Sequence, residues 1–440
     1  MRFSSKNETA VQGSQGDGEI WLDLSRLLWR IRQGRMTGID RVELSYATHL
    51  LRQIPERVRF VAFNYWKRSF GFLPQERAEK LVRAAGPCWR DGTLHMLRGE
   101  ATALFASSLF LPSKVFAIKG QVRPVYLNVS AHPLYATKAV ATMLRNTGAA
   151  FVPLIHDVIP RSHPEYVPDM WIRQHKRVMH TIAKHADGVL FNSVATEATV
   201  SPYLPPSMPK LGLALGVEPP RKILSKLKKE HPYFLFLGTI EPRKNHIGML
   251  HLWRSMIETH GPACPRLIVV GRRGWDNKHV FKFFDKCESV RGYVSEAGRI
   301  SDGEVEHLMS GASALLMPSF AEGYGLPVAE ALSRGLPVLC SDIPAHREIG
   351  RDVPEYFDPI DGLGWRNAIL DYAKPESSRR AAQVSRLSRW TCPTWSGHVA
   401  SGILFIDAVA SASQRVPQNV LQSHTLPEHV LSGVMNPTYV

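Results

Sequence analysis

Two glutamates flank a glycine-rich turn in the segment AEGYGLPVAEAL, residues 321–332. Gly323 and Gly325 allow the backbone to turn sharply and to expose N–H groups toward an anion. Glu322 and Glu330 could each accept two hydroxyl hydrogen bonds, from a sugar or from a ribose. The alternative is structural, with Glu322 capping the following helix and Glu330 stabilising the positive end of its dipole.

A second loop carries two adjacent cations. The segment YFLFLGTIEPRKNHIGML predicts a strand, a loop and a helix, and Gly238 ends the strand where a side chain would block a ligand. Arg243 and Lys244 precede the helix, which begins near Asn245. A guanidinium, an ammonium and free helix N–H groups together favour a diphosphate. Solvated loop charges, with Asn245 as the helix cap, are the alternative.

A third loop follows the predicted strand VRGYV, residues 290–294. A nucleotide base could rest against the turn at Gly292 and Tyr293, before a helix capped by Ser301 or Asp302. A plain capped helix is the alternative.

Short, continuously apolar runs alternate with helical patterns along both halves of the chain. Such runs are typical of parallel strands buried on both faces, and their alternation with helices predicts doubly wound α/β domains. We therefore predict an α/β fold with two doubly wound, Rossmann-like domains facing an interdomain cleft. Ligands of such sheets bind beyond the carboxyl ends of the strands, where all three loops should lie.

The domain boundaries follow from composition, since a proline- and lysine-rich stretch separates the two halves. We predict a flexible N-terminus over residues 1–18, an N-terminal Rossmann-like domain over 19–205 with irregular insertions at about 66–123, a linker over 206–232, a C-terminal Rossmann-like domain over 233–375, a helix over 376–411 and a loose tail over 412–440.

Length and composition limit the class of protein. A chain of 440 residues with 44% hydrophobic and 21% charged residues predicts two or three globular domains. No apolar run reaches the roughly 18 residues of a spanning helix, and the polar N-terminus lacks a secretory signal, so we expect a cytoplasmic protein. The five scattered cysteines fit neither a disulfide framework nor a zinc site.

The net charge of +15 is concentrated near the N-terminus. Residues 1–150 carry 22 Lys or Arg and 11 Asp or Glu, a net charge of +11. A phosphate-bearing substrate, an anionic membrane surface or a nucleic acid could explain this excess, as could a merely solubilising face. Nucleic acid ranks last, because no Arg/Gly-rich tract, zinc finger or heptad accompanies the charge.

Taken together, the motifs resemble retaining glycosyltransferases of family 4, which have the GT-B fold. The resemblance rests on LGTIEPRKN, on the Glu-x7-Glu pattern of PSFAEGYGLPVAEAL and on RGLPVLCSDIPAHREI, and covers nearly all of residues 233–350. It is weaker in the first half, at MTGIDRVELSYATHL, PLIHDVIPRSHPEYVP and GVLFNSVATEATV. The segment RWTCPTWSGHVASGIL resembles the family's closing helix.

The resemblance implies that the N-terminal domain binds the acceptor, that the C-terminal domain binds the nucleotide sugar, and that the helix over 376–411 closes back onto the N-terminal domain. It also implies that residues of both domains hold one nucleotide sugar. Arg243 and Lys244 would bind the donor diphosphate, Glu322 would bind the hydroxyls of the transferred sugar, and Glu330 would bind the ribose. The backbone of Gly323, Tyr324, Gly325 and Leu326 would meet the phosphate or sugar, and the backbone near Tyr293 would meet the base. From the opposite domain, His156 would face the sugar, and the loop at Gly38 would close on the diphosphate or the acceptor. For His156, a turn residue at a strand end is the alternative.

The function implied is transfer of a hexosyl group, with mannose as the leading candidate, from a GDP- or UDP-sugar to a saccharide or lipid-diphosphate-linked acceptor. We expect retention of configuration, Glu322 as a positioning residue, no cofactor, and no metal because an Asp-x-Asp motif is lacking. Surface polysaccharide synthesis in bacteria is the expected context, with peripheral contact to the inner face of an anionic membrane. A GT-B sugar-nucleotide epimerase and a non-enzymatic basic nucleic-acid-binding protein are the alternatives.

Overall fold

The computed structural model describes residues 18–108, 123–220 and 230–412. The predicted flexible N-terminus, apart from residue 18, and the predicted tail, apart from residue 412, lie outside the described residues. The described chain forms two β-sheets, each covered by helices, which confirms the predicted doubly wound α/β class.

The first sheet contains seven strands in the order β3-β2-β1-β4-β5-β6-β7, all parallel except the antiparallel pair β2–β3. Its strands are β1 (Ile20–Asp23), β2 (Val58–Asn64), β3 (Ser69–Phe72), β4 (Val125–Asn128), β5 (Ala150–Ile155), β6 (Val189–Phe191) and β7 (Lys210–Gly212). The accompanying helices are α1 (Ser25–Arg32), α2 (Gly38–Gln53), α3 (Gln75–Arg90), α4 (Arg98–Ala106), α5 (Thr137–Thr147), α6 (Ile159–Ser162), α7 (Asp169–His185) and α8 (Val194–Val200).

The second sheet contains six parallel strands in the order β10-β9-β8-β11-β12-β13. Its strands are β8 (Tyr233–Leu237), β9 (Arg266–Val270), β10 (Val294–Gly298), β11 (Ala314–Met317), β12 (Val338–Ser341) and β13 (Glu355–Phe357). The helices that follow are α9 (His246–His260), α10 (Lys278–Lys286), α11 (Asp302–Gly311), α12 (Leu326–Ser333), α13 (Pro344–Gly350), α14 (Gly362–Tyr372), α15 (Ser378–Leu387) and α16 (Trp395–Ala412).

Central strands are buried on both faces, which explains their continuous hydrophobicity. Every residue of β5 and of β8 is buried, and the helices on the two faces of each sheet cover them. His156 follows the carboxyl end of β5, the loop with Arg243 follows that of β8, and the loop with Glu322 follows that of β11, the neighbour of β8 in the second sheet.

The prediction of irregular structure at about 66–123 was wrong for residues 69–106, which form β3, α3 and α4. In α3 the buried residues Ala78, Leu81, Val82 and Ala85 recur at helical spacing, and they pack the helix onto the first domain. Residues 109–122 lie outside the described part of the chain.

The predicted linker and the predicted closing helix are both more structured than the sequence indicated. Strand β7 lies inside the predicted linker and pairs in parallel with β6; residues 221–229 are outside the described residues. The closing segment is two helices. Gln383 of α15 bonds the backbone of Val338 in the second sheet, whereas His398 of α16 bonds Tyr46 of α2 at 2.8 Å.

Within the described residues, no helix has the length and apolarity needed to cross a membrane. All five cysteines are free.

Candidate active site

The two domains meet where the glycine-rich turn approaches the end of β5. A Cβ atom on Gly323 would clash with the carbonyl oxygen of His156, so only glycine permits this approach. The Gly323 carbonyl accepts a hydrogen bond from the Thr196 hydroxyl at 2.8 Å, and the His156 carbonyl accepts one from the Asn192 amide at 2.8 Å. The turn is therefore anchored to the first domain through its backbone.

Glu322 lies at the centre of a buried ionic cluster. Its Oε2 accepts from Arg243 Nη1 at 2.7 Å, and its Oε1 accepts from Ser319 Oγ at 2.7 Å and from Lys244 Nζ. The second Arg243 nitrogen, Nη2, lies 2.6 Å from Glu241 Oε1. The structure thus brings together Arg243, Lys244 and Glu322 as a connected group, and it adds Glu241, which the sequence analysis did not identify.

The charge state of this cluster follows from its burial. Burial alone would raise the pKa of Glu322, but the charges of Arg243 and Lys244 outweigh that effect and hold the pKa well below its usual range. Glu322 is therefore an ionised carboxylate, able to accept hydrogen bonds but not to donate a proton. The alternative that it caps α12 is wrong, because the residue at the N-cap is Gly325 and makes no side-chain cap bond.

Arg243 and Lys244 occupy a single 3-10 turn directly before α9. Asn245 follows in a left-handed conformation with φ of 61° and occupies the N-cap position of α9, as the alternative proposed. Its side chain makes no cap hydrogen bond; the amide donates instead to the Pro359 carbonyl at 2.8 Å. Gly238, with φ of 139°, leaves room for Lys244, since a Cβ there would lie 3.3 Å from Lys244 Cε.

The turn after Glu322 is supported from behind. Gly325 has φ of 97° and begins α12 at Leu326. The side chain of Tyr324 points away from the turn, and its hydroxyl donates to the Leu215 carbonyl at 2.8 Å. Tyr324 is buried, so it could meet a ligand only through its backbone.

His346 lies behind Gly325 and was missed by the sequence analysis. A Cβ on Gly325 would lie 3.1 Å from His346 Cδ2. His346 Nδ1 donates to the Ser341 carbonyl at 3.0 Å, while the buried Nε2 has no hydrogen-bond partner. Burial lowers the pKa of His346 to about 4, so the ring is neutral at physiological pH. The motif PAHREI contained this histidine, but no spacing rule connects it with Glu322.

Glu330 meets an arginine from the opposite domain. Arg41 of α2 forms ion pairs with Glu330 and, at 2.8 Å, with Asp302, and its guanidinium lies 4.8 Å from the centre of the Trp89 ring. Glu330 therefore bridges the two domains.

Gly38 and His156 both lie on the first-domain side of the cleft. Gly38 is the first residue of α2, and a Cβ there would lie 3.5 Å from Leu326 Cδ1, so the N-termini of α2 and α12 adjoin. His156 Nε2 donates to the Val129 carbonyl at 2.8 Å, which leaves Nδ1 as the acceptor, and burial lowers the pKa of this histidine.

The placement of Tyr293 contradicts its predicted role at the base. Strand β10 begins only at Val294, where it pairs with Leu267 near the start of β9, so Tyr293 precedes the strand at the amino edge of the sheet. Its ring lies 4.2 Å from the Arg266 guanidinium. The strand runs about 16 Å from that edge to the cleft. The positive φ of Gly292 (82°) turns the chain before the strand rather than after it.

Comparison with known proteins agrees with this architecture. Residues 221–353 match the family model described as glycosyl transferases group 1. Among curated relatives, the O-antigen chain mannosyltransferase B of Escherichia coli is 28% identical over 267 residues, covering 56% of this chain and 66% of the relative. The serotype-specific mannosyltransferase WbdA of Escherichia coli is 28% identical over 400 residues, covering 81% of this chain but 47% of the relative.

A solved structure supports the fold. Anabaena Alr3699/HepE, in complex with UDP and glucose, superposes with a TM-score of 0.53 at 12% identity, covering 90% of this chain and 99% of that protein. Residues 221–353 are therefore similar to the group 1 glycosyltransferases, the fold is of the GT-B type, and the predicted resemblance is confirmed at that level. Membership of family 4 and retention of configuration stay predictions.

Proposed function

We propose that this chain, which is similar to the group 1 glycosyltransferases over residues 221–353, transfers a hexosyl group from a nucleotide-diphosphate sugar to a saccharide acceptor. The observation that carries the proposal is the ionised Glu322, held between Arg243 and Lys244 shortly before α12, next to Gly323, which contacts the other domain. A carboxylate that can accept hydrogen bonds from sugar hydroxyls therefore lies next to cations that can bind phosphates. Transfer from a sugar diphosphate requires both kinds of group at one site.

The rate of such a transfer depends on stabilising the leaving group. Negative charge grows on the departing diphosphate, so fixed cations and backbone N–H groups bind the transition state more tightly than the ground state. Arg243, Lys244 and the free N–H groups at the start of α12 are the candidates. Glu322 orients the sugar through its hydroxyls. Because its pKa is depressed, it is unsuited to act as the general acid.

For retention, we propose that the acceptor attacks from the face on which the diphosphate departs. The leaving phosphate oxygen then takes the acceptor's proton, and no covalent bond to Glu322 forms. Anomeric analysis of the product by NMR tests this proposal, and an inverted product would contradict it.

Mannose is the sugar we propose, because two similar proteins are described as mannosyltransferases. For the nucleotide, GDP and UDP remain the two candidates; the Anabaena protein is described with UDP. A thermal-shift screen of GDP- and UDP-linked sugars should yield the largest rise in melting temperature for the true donor. Absence of any shift with every nucleotide sugar would contradict a donor site.

The acceptor is a saccharide, and we propose that a lipid diphosphate carries it and that the protein contacts an anionic membrane in bacterial surface polysaccharide synthesis. A cavity of about 1220 Å³ on the first domain supports this proposal. Its lining includes Arg68, Lys138, Lys176, Arg177 and His180, and no acidic residue lines it. The exposed Trp66 lies nearby in sequence, with 83% of its surface accessible. Binding to anionic vesicles should weaken with added salt; salt-independent binding would count against it.

Incubation of the donor with and without acceptor distinguishes transfer from the epimerase alternative. Transfer requires the acceptor and yields a free nucleoside diphosphate. An epimerised nucleotide sugar formed without acceptor would overturn the proposal.

A further inference from the structure

The turn between α1 and α2 collects several arginine side chains. Gln33 Oε1 accepts hydrogen bonds from Arg30 Nη1 at 3.2 Å and from Arg35 Nε at 3.1 Å. The nearby Asp40 is buried and already shared, because Arg26 Nε lies 2.6 Å from one of its oxygens and Arg30 Nε lies 3.2 Å from the other. Arg35 is exposed and has no carboxylate partner among the described residues.

The second domain adds two more arginines to this turn. Arg272 follows the end of β9 and Arg299 the end of β10. Arg299 Nη1 donates across the cleft to the Gly34 carbonyl at 3.2 Å. The Arg272 carbonyl accepts from Ile240 N–H at 2.9 Å, which attaches Arg272 to the loop that carries Arg243.

These arginines repel one another. Partial burial lowers the pKa of Arg272, the charges of Arg30 and Arg35 lower it further, and the charge of Glu241 opposes them with a smaller effect. Partial burial, Arg30 and Arg35 also lower the pKa of Arg299; Asp302 opposes them with a smaller effect, and Arg272 lowers the pKa slightly further. Arg272 and Arg299 are exposed, and neither forms an ion pair with any residue of the described ranges.

The neighbouring Arg273, by contrast, forms ion pairs with acidic residues. Its Nη2 lies 2.6 Å from Asp285 and 2.7 Å from Glu296. Two arginines adjacent in sequence and both exposed thus differ in one respect, since only Arg273 has acidic partners.

Arg243 and Lys244, the cations predicted to bind the diphosphate, add no net positive charge to the cleft. Arg243 and Lys244 are matched by Glu241 and Glu322, so that cluster sums to zero. Among the described residues, Arg35, Arg272 and Arg299 carry positive charge at this turn without forming an ion pair.

We propose that Arg35, Arg272 and Arg299 form a binding site for a phosphate or diphosphate group, which joins the two domains by occupying the space between them. Guanidinium groups suit this ligand because each can donate two parallel hydrogen bonds to phosphate oxygens. Arg30 and Gln33 position Arg35. The phosphate would come from the donor or from a lipid-diphosphate acceptor, and that identification rests on the proposed function.

Isothermal calorimetry with inorganic diphosphate tests the site directly. The double variant Arg272→Gln, Arg299→Gln should bind diphosphate at least about tenfold more weakly than the unchanged protein, because two charge-assisted contacts are lost. Arg273→Gln removes one charge of the same kind next to the site and should leave the affinity within about twofold. Circular dichroism and melting temperature verify that each variant is folded.

Unchanged diphosphate affinity in the folded double variant would overturn the proposal, as would an equal loss in Arg273→Gln. Arg35→Gln provides an independent second measurement from the other domain. It should also weaken binding, and wild-type affinity there would remove Arg35 from the site.

A second titration identifies the source of the phosphate. Inorganic diphosphate is added to protein saturated with GDP or UDP. If the nucleotide prevents diphosphate from binding, the site belongs to the donor's diphosphate. If diphosphate still binds, the site belongs to the acceptor's phosphates. Both outcomes support an anion site. If no sugar transfer is ever observed but the double variant loses diphosphate affinity, the proposed function fails and the site remains.

Discussion

The two glutamates of the Glu-x7-Glu segment have opposite environments. Glu322 is bound by Arg243, Lys244 and Ser319, which all belong to its own domain. None of these three contacts involves a residue of the first domain. Glu330 is held by Arg41, which belongs to the first domain. A motion that opens the cleft would leave the first arrangement intact and break the second. We infer that Glu322 is prearranged for its ligand, whereas the environment of Glu330 reports whether the cleft is closed.

The largest expected effect comes from removing Glu322. Glu322→Ala leaves two buried cations without their shared partner and should lower the free energy of unfolding by about 3–5 kcal/mol. Glu330→Ala breaks a partly exposed pair and should cost about 1 kcal/mol or less. Urea denaturation of both variants measures the difference, and equal losses would contradict the contrast between the two sites.

The cations beside Glu322 should dominate activity. Arg243→Ala or Lys244→Ala should each reduce kcat/KM by an amount equivalent to about 3 kcal/mol, in line with the loss of one donor to a developing anion. Arg254→Ala, on the exposed side of α9, is the matched control and should have near-normal kinetics. Near-normal turnover in both active-site variants would remove these residues from the mechanism.

Gly323→Ala tests the close contact between the domains. The added methyl group would meet the His156 carbonyl oxygen, so the turn and β5 must separate. We expect about a tenfold loss of kcat/KM, equivalent to about 1.4 kcal/mol. Gly99→Ala serves as the control, because a Cβ on Gly99 meets nothing within 4 Å. Full activity of Gly323→Ala would show that this approach is dispensable.

His346 makes the stability of the Glu322 side depend on pH. Its pKa is lowered from 6.5 to about 4 on folding, so between these values the unfolded chain binds a proton that the folded chain does not. Stability should therefore fall as the pH falls through this window, by up to about 1.4 kcal/mol per pH unit from this group. His346→Asn should flatten this part of the stability profile measured by urea denaturation. An unchanged slope would contradict a neutral His346.

The smallest effect belongs to the interdomain pair. A double-mutant cycle of Arg41→Ala and Glu330→Ala should give a coupling energy of about 1 kcal/mol without nucleotide. At saturating GDP or UDP the coupling should decrease, because ribose hydroxyls compete for Glu330. Coupling that persists unchanged with nucleotide would indicate that Glu330 does not meet the ribose.

Much of the fold was predictable because the signals are local. Continuous apolar strands, helices such as α9 and the glycine and proline positions around 323–327 each reflect the conformation of a few neighbouring residues. The errors also have local causes. The predicted strand at 290–294 failed because Gly292 turns the chain before β10, and α3 was overlooked although its apolar residues recur at helical spacing.

The chemical groups of the cleft could be predicted from the order of residues. Arg243 and Lys244 come before one helix, and Glu322 and the glycine turn before another, because such positions follow from where strands end and helices begin. Which of these groups meet depends on the folded arrangement of the chain. Glu322 joins Lys244 from 78 residues away, and Arg41 reaches Glu330 across 289 residues. Charge matching depends on distances between atoms in space, and the order of residues along a chain does not contain those distances.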